Sequence, residues 1–436
     1  MNNYTLMKGV KAVFILLLVL NISGSQIIFG QDGAFDEKGV AREMVLDESI
    51  RTIQLYREGW ITSYPIMTMD SDVPLVLEFD ELTNEVNVFS YMVIHCDADW
   101  SQSDLYDQEY MVGFFENQID DYATSFNTYY NYTHFKLTLP NNDIRFTRSG
   151  NYLLVVFRDY DQEQIVFTRR FMISQASVGI EAKANRPVLS MYRDDSHEID
   201  ITVNTTGYRI DDPFLETTLS IYQNGVWDYE IKGLKPLFVN PGELVYDYQQ
   251  ENVFNAGNEF RMFDTKNTMV RSFYVQNIDY ISPYFHFELK ADEANKAHLY
   301  FDREDINGRF FIESAEGSEP AVDADYVFVH FSLKMPLPLA DGDVYIGGAL
   351  SNWQFTESNK MKYDVGSSAY RGTLLLKQGI YNYRYMFLHN DRKSFDLSEI
   401  EGSHYETENE YLILFYHRGP GERYDKLVGH QVIHSQ

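Results

Sequence analysis

One run of residues has side chains of the kinds that bind metals or exchange protons. It contains His95, Cys96, Asp97 and Asp99. On an extended strand alternate side chains share a face, so His95, Asp97 and Asp99 would lie together while Cys96 points away. An imidazole and two carboxylates form a nitrogen and oxygen donor set that could hold a metal ion.

A structural interpretation competes with this metal site. Cys96 would share a face with Met92 and Ile94, where a lone thiol behaves as a small apolar core residue. The polar groups at the strand end would satisfy a turn that leads into Trp100. We favour this interpretation, so the sequence predicts framework residues here, with no metal and no cofactor.

A second group of side chains is aromatic and could bind sugar. It contains Trp353, Tyr381, Tyr383 and Tyr385, and aromatic faces of this kind can stack on sugar rings. Alternatively, Trp353 closes the end of a β-sandwich and the alternate tyrosines fill its core. The second interpretation is favoured, and both remain open at the level of sequence.

Short catalytic motifs are missing from the chain. It has no His-Glu-x-x-His, no Gly-x-Ser-x-Gly and no phosphate-binding Gly-Lys-Ser/Thr loop. A glycosidase needs only two carboxylates that the fold brings together, and 65 acidic residues leave that alternative open. We predict that the protein is not an enzyme.

The first thirty residues predict an export signal. Lys8 and Lys11 precede an apolar run over residues 12–20, and small residues follow, with cleavage expected after Ser25 or Gly30. Removing 1–30 takes away two lysines and no acids, so the net charge of −29 becomes −31. Such a charge repels nucleic acid and anionic lipid surfaces. The single cysteine excludes an internal disulfide.

The composition and pattern of the rest of the chain favour β-sheet. It has 33 Tyr and 30 Phe against 4 Trp, and short alternating runs are separated by Asp, Asn, Gly and Pro turns. The expected fold is all-β, with three consecutive immunoglobulin-like β-sandwich domains over residues 31–175, 176–292 and 293–436. Within the second domain, Asn224-Gly225 predicts a type I′ hairpin turn.

Several motifs over residues 90–154 are distinctive together. They are the HCDADW run, a Ser-x-Leu-x-x-x-Glu-Tyr continuation, a Tyr-Thr-His-Phe strand, a Leu-Pro-Asn-Asn-Asp turn and a Ser-Gly-Asn-Tyr entry. Their order resembles the plug proteins of the type IX secretion system of Bacteroidetes. The segment over 240–264, with its Glu-Phe-Arg-x-Phe-Asp strand, extends the resemblance into a second domain.

The C-terminal part has a resemblance of its own. A Gly-x-x-x-Asn-Trp turn at 348–353 precedes a Gly-x-Tyr-x-Tyr-x-Tyr strand at 379–385. This pattern is similar to early-set immunoglobulin-like modules related to glycogen-binding domains. The strand has tyrosines where starch binders commonly have a second tryptophan or a lysine, which weakens the expectation of a bound glycan.

The resemblance to plug proteins implies a function that requires no chemistry. The protein would be periplasmic, would bind the periplasmic opening of the outer-membrane translocon barrel, and would seal it when no cargo is present. An alternative is a periplasmic or surface polysaccharide-binding protein that uses the C-terminal module. A third, an outer-membrane barrel, is disfavoured because runs such as 92–94 and 153–157 are apolar on both faces.

Overall fold

The computed structural model describes residues 33–391 and 395–435. The predicted signal peptide, residues 1–30, lies outside the described residues. The described chain is almost entirely β-strand and forms three packed units, each built from two facing groups of strands. This confirms the prediction of an all-β, multidomain β-sandwich.

The first unit consists of two facing sheets and one small two-stranded sheet. The elements are β1 (Met44–Val45), β2 (Ile50–Arg57), β3 (Ile66–Thr68), β4 (Leu75–Glu81), β5 (Phe89–Cys96), α1 (Asp107–Tyr110), β6 (Met111–Gly113), β7 (Glu116–Gln118), β8 (Asp121–Thr124), β9 (Thr133–Leu139), β10 (Ile144–Phe146), β11 (Gly150–Arg158) and β12 (Ile165–Ser174). One facing sheet has the strand order β1-β12-β11-β5-β7, with β3 beside β12, and the other has the order β2-β4-β9-β8. The small sheet pairs β6 with β10.

The middle unit begins with elements that directly follow the first unit in the chain. They are β13 (Gly179–Asn185), β14 (Ser196–Asn204), α2 (Pro213–Glu216), β15 (Thr217–Gln223), β16 (Glu230–Leu234), β17 (Phe238–Asn240), β18 (Glu243–Tyr246) and β19 (Val253–Asn255). One of its sheets has the order β13-β14-β18-β17, with β19 also beside β14. β15 and β16 form the predicted hairpin, and φ is +52° at Asn224 and +71° at Gly225, as a type I′ turn requires. Tyr222 pairs with Glu230, however, so the connection is longer than the two-residue hairpin turn that the sequence predicted.

The third unit packs two groups of strands around one apolar core. Its elements are β20 (Arg261–Asp264), β21 (Val275–Ile281), β22 (Tyr284–Leu289), β23 (Asp292–Glu293), β24 (Phe310–Ile312), α3 (Pro320–Asp323), β25 (Tyr326–Lys334), β26 (Gly342–Gly347), a 3₁₀ helix (Ala349–Ser351), β27 (Lys362–Asp364), β28 (Ala369–Lys377), β29 (Gly379–His389), β30 (Phe395–Asp396) and α4 (Ser398–Glu401).

The last two strands return to the middle unit. β31 (Glu410–His417) and β32 (Lys426–His434) complete a sheet of order β16-β15-β31-β32. The third unit is therefore inserted between β19 and β31, and β20 to β22 belong to it. This arrangement differs from three consecutive domains with a boundary near residue 292, because the partner of β15 lies almost two hundred residues further along the chain.

The first and middle units stack their four sheets face to face. Apolar side chains fill all three gaps between successive sheets, and the middle gap lies between the units. β5 is buried along its whole length because Tyr91 and Val93 face the core of the first unit while Met92 and Ile94 face the middle unit. This explains why the sequence there is apolar on both faces.

Candidate functional site

His95 lies at the end of β5, and both of its ring nitrogens have hydrogen-bond partners. Its Nδ1 lies 2.8 Å from the Ser103 hydroxyl and its Nε2 lies 3.1 Å from the Ser149 carbonyl oxygen. Because the carbonyl can only accept, Nε2 carries the proton and Nδ1 accepts from Ser103. Burial lowers the pKa of His95 to about 4, so the ring is neutral at pH 7. Neither ring nitrogen is left to bind a metal.

The other residues of the run also have structural partners. Asp97 pairs with Arg418 at 2.6 Å, while Asp99 accepts from the Ser101 backbone and hydroxyl at 2.9 and 2.6 Å. Cys96 is completely buried. The structure therefore does not bring His95, Asp97 and Asp99 together as metal ligands, and these side chains are framework.

The two most distinctive motifs of the first unit meet at the joint with the middle unit. Asn151, from the Ser-Gly-Asn-Tyr motif, donates to the Asp97 carbonyl oxygen at 3.0 Å and accepts from the Tyr416 hydroxyl at 2.8 Å. Its neighbour Gly150 has a φ of +139°, and a Cβ there would lie 2.6 Å from His95 Nε2. Glycine is needed because the turn passes so close to the imidazole.

Trp100 lies at the centre of this joint. It is 1% exposed, and its indole nitrogen donates to the Tyr222 hydroxyl of the middle unit at 3.1 Å. The Arg170 guanidinium lies over the ring at 4.5 Å, and Trp227 of the middle unit packs edge-on at 5.9 Å. The family-like run thus ends in the side chain that joins two units.

A second joint connects the first unit to the third through a buried carboxylate. Asp80 accepts from Lys377 Nζ, the Tyr326 hydroxyl and His134 Nδ1, each at 2.7 Å. Burial alone would raise the pKa of Asp80, but the Lys377 charge and the His134 hydrogen bond outweigh it and lower that pKa. The Lys377 ammonium also lies 4.1 Å from the centre of the Tyr132 ring. Sequence reasoning missed Asp80, Tyr326 and Lys377, which are far apart in the chain and form no local motif, whereas Tyr132 and His134 belong to the Tyr-Thr-His-Phe strand.

The three candidate sugar-stacking tyrosines do not form a binding face. Tyr381, Tyr383 and Tyr385 are 2%, 3% and 0% exposed. The Tyr383 and Tyr385 hydroxyls both donate to Asp292 at 2.7 Å, and the Tyr381 ring stacks between two phenylalanines of the same core. The possible sugar-stacking role of these three tyrosines is therefore wrong. They pack in the core of the third unit, because β29 turns this face inward.

Trp353 lies apart from those tyrosines, where all three units meet. It is partly exposed and packs edge-on against Phe260 at 6.0 Å. It lines a cavity of about 140 Å³ together with Tyr64 of the first unit and Asn224 of the middle unit. Its neighbour Asn352 accepts from Arg169 of the first unit. The residue therefore takes part in packing between the units.

An exposed aromatic surface borders the joint between the first and third units. We call it the aromatic seam. Its members are Phe126, Tyr129, Tyr280 and Ile281, which are 77%, 53%, 50% and 59% exposed. The Tyr129 ring lies 5.5 Å from that of Tyr280, and the Tyr129 backbone donates to Asp325 at 2.7 Å. Exposed aromatic groups on a fixed backbone are typical of protein-docking surfaces.

Comparison with known proteins supports the architecture and gives the family. A crystal structure of a hypothetical protein from Parabacteroides merdae ATCC 43184, at 2.30 Å resolution, matches with a TM-score of 0.87 and 33% identity. The match covers 90% of this chain and 99% of the other. No curated protein matches the chain. The class of protein is therefore a multidomain β-sandwich protein.

The first unit identifies the family. Residues 50–175 match the model described as the type 9 secretion system plug protein first domain. The chain therefore contains the first domain of the type IX secretion system plug protein family, as its motifs over residues 90–154 predicted. Within residues 33–391 and 395–435, no helix combines the length and apolar character needed to cross a membrane.

Proposed function

We propose that the protein is a non-enzymatic periplasmic plug. It binds the periplasmic opening of the type IX outer-membrane translocon barrel and seals it when no cargo is present. The observation that carries this proposal is the match of residues 50–175 to the first domain of the plug family. A sealing role also agrees with the structural use of the HCDADW and Ser-Gly-Asn-Tyr motifs, whose side chains hold the first and middle units together.

The joints between units support this proposal mechanically. A plug must resist deformation while it blocks a wide pore. The first unit is held to the middle unit by a continuous apolar cluster and to the third by the buried Asp80–Lys377 pair. Such packing makes the three units one body rather than a flexible string.

We assign the translocon contact to the aromatic seam. Phe126 and Tyr129 offer large apolar side chains on the plug domain itself, beside a rigid joint. A stable seal should bury more than about 1,000 Å² in total, with aromatic residues as its centre. The polysaccharide-binding alternative is not favoured, because its tyrosines are buried.

Outer-membrane permeability tests this function. A strain that lacks the protein should take up large polar molecules that the parent excludes, while cargo secretion continues. The variant F126S/Y129S should be equally leaky, because it removes the docking aromatics, both of which are more than half exposed. Unchanged permeability in the deletion strain would contradict plugging.

A matched control variant is available on the middle unit. Phe214 and Leu215 are 51% and 80% exposed and lie outside the seam. The variant F214S/L215S should therefore keep the membrane sealed. If it leaked as much as F126S/Y129S, the seam would have no special role, and the assignment of the contact would be wrong.

A further inference from the structure

The cavity of about 140 Å³ where the three units meet has walls that are rich in arginine. Arg169 and Arg170 come from β12 of the first unit, and Arg309 directly precedes β24 of the third. Among the residues that line the cavity, Glu43 is the one acidic side chain. The whole chain, by contrast, has 65 acidic residues and 36 basic ones. The cavity is therefore a positive site in an acidic protein.

Two of the three guanidinium groups have neutral hydrogen-bond partners. Arg169, which is 6% exposed, donates to the Thr168 carbonyl oxygen at 2.8 Å and to the Asn352 side-chain oxygen. Arg170, which is 4% exposed, donates to the Ala41 carbonyl oxygen. In the described part of the chain, neither guanidinium forms an ion pair with a carboxylate. A guanidinium has five N–H groups, so Arg169 keeps donors for a ligand.

The charges around the cavity do not balance. Arg309 pairs with Glu410. Glu43 is left to oppose both Arg169 and Arg170, and its Oε1 accepts from the Arg170 backbone nitrogen at 2.8 Å. Three guanidinium groups thus face two carboxylates, which leaves one buried positive charge. Because an uncompensated buried charge is costly, a monovalent anion in this cavity would stabilise the protein.

The rest of the cavity wall is suited to an apolar group. Trp227 of the middle unit and Trp353 of the third both line it, and both are partly exposed. Ile53 and Phe310 add aliphatic and aromatic surface. An apolar cavity of about 150 Å³ holds one benzene ring, so the space here suits a ligand of about ten non-hydrogen atoms. A bare inorganic anion would leave these walls uncovered.

The geometry points to a ligand site, and we propose that this cavity binds a small organic monocarboxylate. Arg169 binds the carboxylate through two parallel N–H groups, the pairing that a planar guanidinium makes with such an anion. Trp227 and Trp353 cover the apolar body of the ligand. Because these three side chains belong to three different units, the site is complete only when the units are packed together.

A titration of the purified full chain tests the site. Saturation-transfer nuclear magnetic resonance is used with two probes, sodium benzoate and sodium 4-methylpentanoate, which differ in the shape of the apolar body. At least one should bind saturably, with a dissociation constant of about 10⁻³ M or tighter for a ligand of this size. Benzyl alcohol keeps the ring without the charge and should bind at least tenfold more weakly than benzoate. Sodium sulfate should displace the carboxylate at least tenfold less effectively than unlabelled carboxylate does.

Three variants make the test specific. R169Q removes the guanidinium and should weaken carboxylate binding at least tenfold. N307D places a negative charge in the wall of the same cavity without changing the shape of the side chain, and it should weaken binding as much. It also covers the case in which R169Q misfolds. R209Q is the matched control, because the Arg209 side chain is 85% exposed and does not line the cavity, and it should bind as the parent does.

Four results would each overturn the site. They are no saturable binding of either carboxylate, equal binding of benzyl alcohol, unchanged binding in both R169Q and N307D, and an equal loss in R209Q. The second would mean an apolar pocket without anion recognition, and the last would mean general charge screening. None of them bears on plugging, which is tested by membrane permeability and by residues of the aromatic seam.

Discussion

Where the first unit meets the middle unit, buried apolar side chains of both form one cluster, with Trp100 at its centre. Where it meets the third unit, the buried contact centres on the Asp80 carboxylate and the Lys377 ammonium. The apolar joint depends on area and shape. The polar joint depends on direction, because each of its three hydrogen bonds to Asp80 requires its donor in place.

The difference shows how one domain can be fixed to two neighbours. An apolar contact tolerates small shifts, whereas a buried ion pair is costly unless its geometry is kept. We infer that the first joint supplies most of the stabilisation, while the second sets the orientation of the third unit. The predictions below are designed to separate these two roles.

The largest effect is expected from Trp100→Ala. Removing a buried indole leaves a cavity, and the free energy of unfolding should fall by about 3–5 kcal/mol. Urea unfolding followed by the circular dichroism of the backbone, a signal that does not rely on tryptophan, measures this loss. Trp60→Ala is the matched control, since Trp60 is 58% exposed and its loss should cost under about 0.5 kcal/mol. Equal losses in both variants would contradict the importance of the joint.

A smaller but still large effect is expected from Lys377→Met. It leaves Asp80 buried without its cation, which should cost about 3 kcal/mol. The double variant D80N/K377M should recover part of the loss, because no charge is then left unpaired. Lys296→Met breaks an exposed pair with Glu399 and should cost under about 1 kcal/mol. A double variant no better than Lys377→Met would show that the pair is not coupled.

The smallest effect is a response to mild acid at the apolar joint. His95, whose ring lies 5.3 Å from Tyr424 of the middle unit, has its pKa lowered by burial from 6.5 to about 4. The unfolded chain therefore binds this proton at a higher pH than the folded protein does. The stabilisation from neutral His95 is complete above pH 6.5 and is lost as the pH falls toward 4. At about pH 5 the free energy of unfolding should already be lower by about 2 kcal/mol.

The polar joint should behave differently in the same window. The pKa of Asp80 is lowered below 3.8, so its contribution persists until the pH falls below that value. Unfolding free energies of the parent and His95→Gln at about pH 7 and about pH 5 measure the His95 share, since other histidines contribute equally to both proteins. The same loss in both proteins would contradict the assignment.

Local pattern predicted the elements but not all their partners. Alternating runs and the Asn224-Gly225 turn were sufficient for an all-β fold, because strand face and turn φ are local properties. The return of β31 to β15 was not predictable, since its apolar run shows a buried strand without showing which sheet covers it. For this reason the predicted boundary near residue 292 falls inside the third unit instead of between two units.

The candidate site was predictable in the same partial way. The residue types at 95–100 indicated structural side chains. The structure shows that this run belongs to the joint between the first and middle units, where Trp100 donates to Tyr222. Period-two spacing placed Tyr381, Tyr383 and Tyr385 on one face, but only the tertiary structure decides whether that face is inside or outside. The Asp80–Lys377 pair carries no sequence signal, because its members are 297 residues apart.

The most direct test of the plug is its partner. A tagged form of the protein should be purified from the detergent-solubilised envelope of its native organism and its companions identified by mass spectrometry, with F126S/Y129S and F214S/L215S alongside. The account predicts that a very large outer-membrane barrel accompanies the parent and F214S/L215S, and is depleted from F126S/Y129S. Recovery of the parent alone, or with polysaccharide-uptake proteins, would contradict it.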